Sequence, residues 1–443
     1  MGCAWAKNSD MTTLDVSHSS PLAKAWYDYA DRNVESRRRH ESASQVLPGG
    51  NTRTLFYQPP FPLTFVSGHD SVLVDADGHQ YVDLLGDYTA GLLGHSDRRA
   101  RDAANAALDI NMSVGGIHPA EQQLARLMCQ RWDLEMVRFN NSGTEANLMA
   151  ITAARMYTGR STIMVMNGAY HGGILYFAHG AAKWNAPYPT VLGHFNDLQQ
   201  CSELIAQVGI DLAAILVEPM LGSAGCLPAD PGFLQGLADA AHAVGALVIA
   251  DEVMTSRLGP RGLSIDAGVQ PDLKTFGKYI AGGFSFGAFG GSAKVMSIFD
   301  ASQPDFIPHA GTFNNNITSL SAGVEVLSNI YTAEIAAAFT ERGDEFRANI
   351  AAVLARHHAP FSVTGIGTMM SLHARREAPT DGHSALDRNV EHQELLYLAL
   401  LERGFYIAPR GMINLSLSVT DDQLAAFLTA LDDVVAELVL MLE

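Results

Sequence analysis

Five short apolar runs constrain this chain more than any other feature: EMVRF (135–139), TIMVM (162–166), LAAILV (212–217), ALVIA (246–250) and DLKTF (272–276). Each has the length of a buried strand, and helix-length segments separate them. Strands this apolar must be covered on both faces. The pattern therefore predicts an α/β fold, a mostly parallel sheet between helices. In such sheets ligands gather at the carboxyl ends of the strands. The residues just past each run are where chemistry is expected.

The flanking segments read differently. Residues 22–47 carry a helical pattern ending in Arg37–Arg38–Arg39–His40, read as a solvated helix face. PGGNTRT (48–54) reads as a loop. VLVDADGHQYVDL (72–84) alternates around Asp77-Gly78 and predicts a β-hairpin. Beyond about residue 330 a helix-rich segment leads into short strands near 361–373, 404–408 and 413–418. The last helix opens at a capping box, Thr420 with Gln423, and carries the stripe Leu424, Phe427, Leu428, Leu431, Val434, Val435 and Leu438. A chain of 443 residues is long enough for two domains. The expected division is a disordered stretch over 1–20, a large domain over 86–330, and a smaller α+β domain assembled from 21–85 and 331–443.

Charge and cysteines narrow the class. A formal net charge of −18 argues against a nucleic-acid or anionic-membrane partner. No apolar run is long enough to span a bilayer. MGCAWAKNSD lacks the apolar core of a signal peptide, and Ala6 breaks a myristoylation motif. Cys3, Cys129, Cys201 and Cys226 are widely spaced, which predicts reduced thiols in a cytoplasmic protein and neither a disulfide framework nor a zinc site.

The strand ends carry four features. EMVRF runs into NNSGTEANLMAITAAR, where the first turn of a strong helix, with the Ser142 and Thr144 hydroxyls, makes a cup for a phosphate monoester. Plain N-capping reads the same residues equally well. TIMVM is followed by NGAYHGG, in which Tyr170 and His171 suit a flat wall against a ring, or a core and a surface residue. LAAILV ends at Glu218, and ALVIA at Asp251-Glu252-Val253. No nearby histidine has ligand spacing, so these carboxylates do not predict a metal site. Such an aspartate also suits a protonated ring nitrogen. DLKTF ends at Gly277-Lys278, with Phe276, Tyr279, Phe284, Phe286 and Phe289 around the lysine. Apolar surroundings disfavour the ammonium form and so make an amine nucleophile. Pyridoxal 5′-phosphate uses all four: cup, wall, buried aspartate and lysine.

NNSGTEAN, AYHGG, VEP, ADEVMTSR, FGKYIAGG and HAGTF, in this order, resemble the class III (subgroup II) pyridoxal-phosphate aminotransferases of fold type I. PGGNTR and DADGHQYVDLLGDYTAGLLGH are similar to the glutamate-1-semialdehyde aminomutase branch. The resemblance runs from about residue 45 to about residue 420. It implies that Lys278 is the Schiff-base lysine and proton shuttle, and that Asp251 holds the ring nitrogen protonated. It implies that Val253 and Tyr170 sandwich the ring, and that Ser142, Gly143 and Thr144 bind the phosphate. Glu218 and His171 would support the cofactor's edge. Thr312, in HAGTF, would reach the phosphate of a neighbouring subunit, which implies a homodimer with shared active sites.

Two segments depart from the aminomutase pattern. Thr312-Phe313-Asn314-Asn315-Asn316 stands where that branch has Ser-Gly-Asn-Pro after the threonine, and Asn51-Thr52-Arg53 where it has Ser-Pro-Val-Arg. Both resemble the (S)-β-phenylalanine type of β-amino-acid aminotransferase. A β-amino acid carries its carboxylate one carbon further from the amine than an α-keto acid does from its carbonyl, so one fixed arginine cannot suit both. Arg53 is expected to bind the donor carboxylate, and Arg410, on a more mobile loop, the acceptor's. Leu55, Phe56, Tyr57 and Met412 are candidates for the side-chain pocket. The expected activity is ping-pong transfer from a β-amino acid, and from simple chiral amines, to an α-keto acid. The alternative is a 2,1-aminomutase, which needs no external acceptor.

Overall fold

The five runs are strands: Met136–Asn140, Thr162–Met166, Leu212–Val217, Leu247–Asp251 and Leu273–Gly277. They belong to a computed structural model that describes residues 20–111, 115–178, 180 and 182–442. The expectations for residues 1–19, Cys3 included, fall outside the described residues. Ser20, expected in the disordered stretch, instead caps a helix, its Oγ accepting from Ala23 N at 3.3 Å.

Two further strands complete a seven-stranded sheet. In spatial order it runs 136–140, 287–291, 273–277, 247–251, 212–217, 162–166 and 190–193. Gly287–Gly291 lies antiparallel to both its neighbours, and the remaining pairs are parallel. All five predicted strands therefore point the same way, and their carboxyl ends share one edge. Periodicity gave no sign of Gly287–Gly291, because GAFGG has little β-propensity. Its glycines answer to close backbone approach: a Cβ at Gly287 would meet Ser142 O at 2.1 Å, and one at Gly291 would meet Asp272 O at 2.0 Å.

The sheet is buried on both sides. Leu212–Val217, Leu247–Asp251 and Leu273–Gly277 are buried along their whole lengths. Helices Leu198–Val208 and Phe233–Ala243 cover one part, and Gly143–Thr158 crosses another. Cys129, Cys201 and Cys226 are free thiols. Burial pushes the last two up to about 12, which keeps them as unreactive thiols.

The chain ends meet in a smaller sheet. The 72–84 hairpin forms as read, Val72–Asp75 against Gln80–Asp83, with Phe65–His69 beside it. Phe405–Tyr406 then adds in parallel to Gln80–Asp83. Ser362–Ile366, Met369–His373 and Met412–Asn414 make a three-stranded antiparallel sheet. The final helix, Asp421–Leu442, has its capping box: Gln423 Oε1 accepts from Thr420 N at 2.9 Å, and Thr420 Oγ1 from Gln423 N at 3.2 Å. Among the described residues no helix is long and apolar enough to cross a membrane.

The helix read over 22–47 is two, Pro21–Arg32 and Val34–Ala43. Asn33 breaks it, leaving helical geometry with ψ of 50° while its Nδ2 donates to Tyr29 O at 2.7 Å. The basic cluster is only partly a solvated face. Arg38 and Arg39 pair with Glu35, but Arg37 turns inward, donating to Ala30 O and lying 5.4 Å from the Phe61 ring centroid.

Candidate active site

The first strand end is a helix start. Ser142 is the N-cap of Gly143–Thr158, its Oγ accepting from Glu145 N at 3.2 Å, while Glu145 Oε2 accepts from Asn141 N at 2.9 Å. Capping thus uses Ser142 and Glu145. The N–H groups of Gly143 and Thr144 have no acceptor among the described residues, and neither does the Thr144 hydroxyl. Those donors and the helix dipole favour an anion here. The backbone packs too tightly for side chains: a Cβ at Gly143 would lie 2.8 Å from the Val253 methyls, and one at Gly172 2.3 Å from Thr144 Oγ1.

Asp251 ends the strand 247–251 almost wholly buried, in a network of donors. Its Oδ2 accepts from Asn147 Nδ2 at 2.7 Å and lies 2.7 Å from His171 Nδ1. Its Oδ1 accepts from Val253 N at 3.0 Å, and Thr275 Oγ1 lies 3.4 Å from it. Asn147 also donates to His171 O, and Thr275 Oγ1 donates to Asn147 Oδ1 at 2.6 Å. Asn147, His171 and Val253 N thereby fix one carboxylate, and Thr275 fixes Asn147. His171 is not a surface residue: it is 1% exposed, and its Nε2 is buried with no partner among the described residues. Beside it, Glu218 accepts from Tyr170 N and Gly222 N, both at 3.0 Å. Burial pushes Glu218 up to about 7, with Asp251 adding to the rise and His171 opposing it. Tyr170 is 42% exposed and packs edge-on to Tyr176, with centroids 5.7 Å apart.

Lys278 follows the next strand directly. It is half-buried, with φ of 56°, a left-handed conformation that a lysine rarely adopts. Gly277 lets the chain pass: a Cβ there would meet Val253 Cγ1 at 3.3 Å and Gly143 N at 3.4 Å. Among the described residues nothing hydrogen-bonds the Lys278 amine. Burial lowers its pKa; Asp87 and Asp251 raise it in part, while Arg53 and Arg410 lower it further. The lysine is therefore within electrostatic reach of both carboxylates and both arginines.

Arg53 and Arg410, more than three hundred residues apart, meet around one ring. The Arg53 guanidinium lies 5.7 Å from the Tyr88 centroid and 4.3 Å from that of Phe56. Arg410 lies 5.3 Å from the same Tyr88 centroid. Phe56 and Tyr88, with Leu55, Gln58, Tyr397 and Tyr406, also border a cavity of about 420 Å³. Of the other residues expected to line a side-chain pocket, Met412 is fully buried beneath Arg410, and Tyr57 lies outside the cavity.

Ser142, Gly143, Thr144, Tyr170, His171, Glu218, Asp251, Val253 and Lys278 thus lie along one sheet edge, with Arg53 and Arg410 within electrostatic reach of Lys278. Nothing hydrogen-bonds Thr312 to them among the described residues. It is exposed on the 311–316 stretch, which Asn314 ties to Asn141 at 3.0 Å. Sequence reasoning missed Asn147, Thr275, Tyr88 and Asp87. Asn147 was the most accessible of these: it lies four residues after Gly143, so it shares that residue's helix face.

The residues present fit pyridoxal phosphate. Free N–H groups await a phosphate, a fixed buried carboxylate suits a ring nitrogen, and an unpaired amine of lowered basicity suits a carbonyl.

A family model described as aminotransferase class-III matches residues 57–435. The chain is 42% identical over 411 residues to a β-phenylalanine transaminase of Variovorax paradoxus, covering 93% of this chain and 94% of that protein. A solved β-phenylalanine aminotransferase from that organism superposes with a TM-score of 0.91, at 42% identity, over 93% of this chain and 96% of the other. A solved transaminase with PLP bound gives a TM-score of 0.83 at 30% identity, over 92% and 98% of the two chains. A glutamate-1-semialdehyde 2,1-aminomutase of Desulforudis audaxviator is 32% identical over 422 residues, 90% of this chain and 97% of that protein.

Proposed function

Because this chain belongs to the class III aminotransferases, we propose that it transfers the amino group of a β-amino acid to an α-keto acid, with pyridoxal 5′-phosphate as cofactor. When bound, the cofactor supplies the carbonyl that takes up the amino group and the ring that accepts electrons from the substrate carbon. The N–H groups of Gly143 and Thr144, with the Ser142 and Thr144 hydroxyls, would hold its phosphate. Asp251, its carboxylate fixed by Asn147, His171 and Val253 N, would pair with the ring nitrogen and keep it protonated. Val253 and Tyr170 would cover the two ring faces, and Glu218 and His171 would support the edge. Lys278 would hold the cofactor covalently, and its free amine, of lowered basicity, would move the proton to and from the substrate carbon.

The observation that carries the reading of the substrate is the pair of arginines around Tyr88. Two guanidinium groups near one amine suit two carboxylates that bind in turn at different distances from the reacting atom. We assign the donor carboxylate to Arg53 and the acceptor's to Arg410. The aromatic cavity behind Phe56 and Tyr88 suits an aromatic or aliphatic donor side chain. The exchange is ping-pong, one site serving donor and acceptor in succession, and simple chiral amines fall within its range.

The protein works as a cytoplasmic homodimer with shared sites. Thr312 is exposed, which suits service to a partner's phosphate, and Phe313 and Trp184 are 60% and 64% exposed.

The test is a half-reaction. Cofactor-loaded protein is mixed with (S)-β-phenylalanine without keto acid, and the visible absorption is followed. Loss of the lysine-bound band, restored by pyruvate or 2-oxoglutarate, supports the reading. A band that does not change rejects this donor. Turnover of a diamino or aminoaldehyde substrate with no keto acid would point to the aminomutase instead.

A further inference from the structure

Arg53 already has a carboxylate beside it. Its Nη1 donates to Asp87 Oδ1 at 2.7 Å, and no other hydrogen bond engages its guanidinium among the described residues. Asp87 lies on an unusual turn. Gly86, Asp87, Tyr88 and Thr89 have φ of 53°, 42°, 52° and 80°, four consecutive left-handed residues of which only one is glycine. Such a run is costly and persists only where its surroundings over-determine it.

They do so here. Asp83 Oδ1 accepts from Leu85 N at 2.9 Å and from Gly86 N at 3.0 Å. Asn414 Nδ2 donates to Leu85 O at 3.1 Å, and Asn414 N donates to Leu84 O at 2.7 Å. The turn buries Tyr88 at 4% exposure between the two arginines and leaves Asp87 outward against Arg53. The ion pair does not repay that strain, since its side chains are 44% and 50% exposed and water screens it. The carboxylate's position beside the site is what the turn secures.

Resting on the reading of Arg53 as the donor-carboxylate site, we propose that Asp87 is a specificity-determining residue, the resident counter-ion of Arg53 that the donor carboxylate must share or displace. A guanidinium presents five donors, so a substrate carboxylate can take the free edge while Asp87 keeps Nη1. The nearby negative charge then weakens binding of the donor carboxylate, which hastens release of the donor-derived product. It weakens a donor with a second acid group most. Monocarboxylate β-amino acids with uncharged side chains are therefore the favoured class.

The experiment is a calorimetric titration of 3-phenylpropanoate, a donor analogue lacking the amine, into cofactor-loaded protein. Asp87→Asn keeps shape and tolerates a left-handed φ. It is expected to bind the analogue roughly three- to tenfold more tightly than the unmodified protein. Asp87→Glu, which restores the charge, should bind it about as the unmodified protein does. In an Arg53→Ala background the gain from Asp87→Asn should vanish. If Arg53→Ala weakens the analogue but Asp87→Asn does not tighten it, Asp87 is only a brace, and the inference is overturned while the reading of Arg53 stands. If Arg53→Ala leaves the affinity unchanged, that reading fails and the inference with it.

Discussion

His171 Nδ1 lies 2.7 Å from Asp251 Oδ2, and Asn147 Nδ2 reaches the same oxygen at the same distance while also bonding His171 O. An imidazole and an amide from two separate segments thus hold one carboxylate at the end of a third. Asp251 cannot rotate without breaking bonds to both.

This arrangement makes Asn147 a positioning residue. Asn147→Ala removes one donor to Asp251 and leaves His171 O and Thr275 Oγ1 without their partner. A hydrogen bond to a charged group contributes about 1.5–3 kcal/mol, so kcat is expected to fall roughly 10- to 100-fold. KM for the donor should change little. Steady-state kinetics alongside a melting curve separates this from unfolding; an unchanged kcat would remove Asn147 from the machinery.

The two arginines should separate by substrate. Arg53→Ala is expected to raise KM for the β-amino donor roughly tenfold or more and to leave KM for the keto acid near its original value. Arg410→Ala should do the reverse. Full double-reciprocal analysis with both substrates varied reads the split. Equal effects of each variant on both substrates would contradict the division of labour.

Gly172 has φ of 131°, and a Cβ there would meet Thr144 Oγ1 at 2.3 Å. Gly172→Ala should therefore displace Thr144 and strain the backbone, costing about 1–3 kcal/mol of stability. The cofactor-free protein should melt several degrees lower, and its affinity for pyridoxal phosphate should drop. Gly173→Ala meets nothing within 4 Å and is the matched control.

Glu218 gives the folded protein a pH dependence. Burial raises its folded-state pKa to about 7 from the ordinary 4.5, so between those values the native state binds a proton that the unfolded chain has lost. Its contribution to stability therefore falls as pH rises from 4.5 to 7 and is level above that, by a few kcal/mol at most. Glu218→Gln should remove this decline. Melting temperatures of the cofactor-free protein and the variant, compared from pH 5 to 8, should diverge in the variant's favour as pH rises; parallel curves would count against it.

Much of this protein is determined locally, and that part was legible in the sequence. Apolar runs such as LAAILV must be buried strands, and the residues just past each run must stand at a strand's end. Ser142, Asp251 and Lys278 are therefore neighbours along one edge on sequence grounds alone. The capping box at Thr420 and the hairpin at Asp77-Gly78 are equally local. Gly287–Gly291 was not legible, because its glycines are set by backbone from other segments and not by any propensity of their own.

The same distinction holds at the site. Lysine, aspartate and phosphate cup follow from what each residue is and where its strand stops. That Asn147 and His171 grip one oxygen of Asp251, that Arg53 and Arg410 share the ring of Tyr88, and that Asp87 already pairs with Arg53 depend on segments brought together from across the chain. Only the tertiary structure decides these, because the energy of a contact depends on distance in space, which sequence separation does not measure.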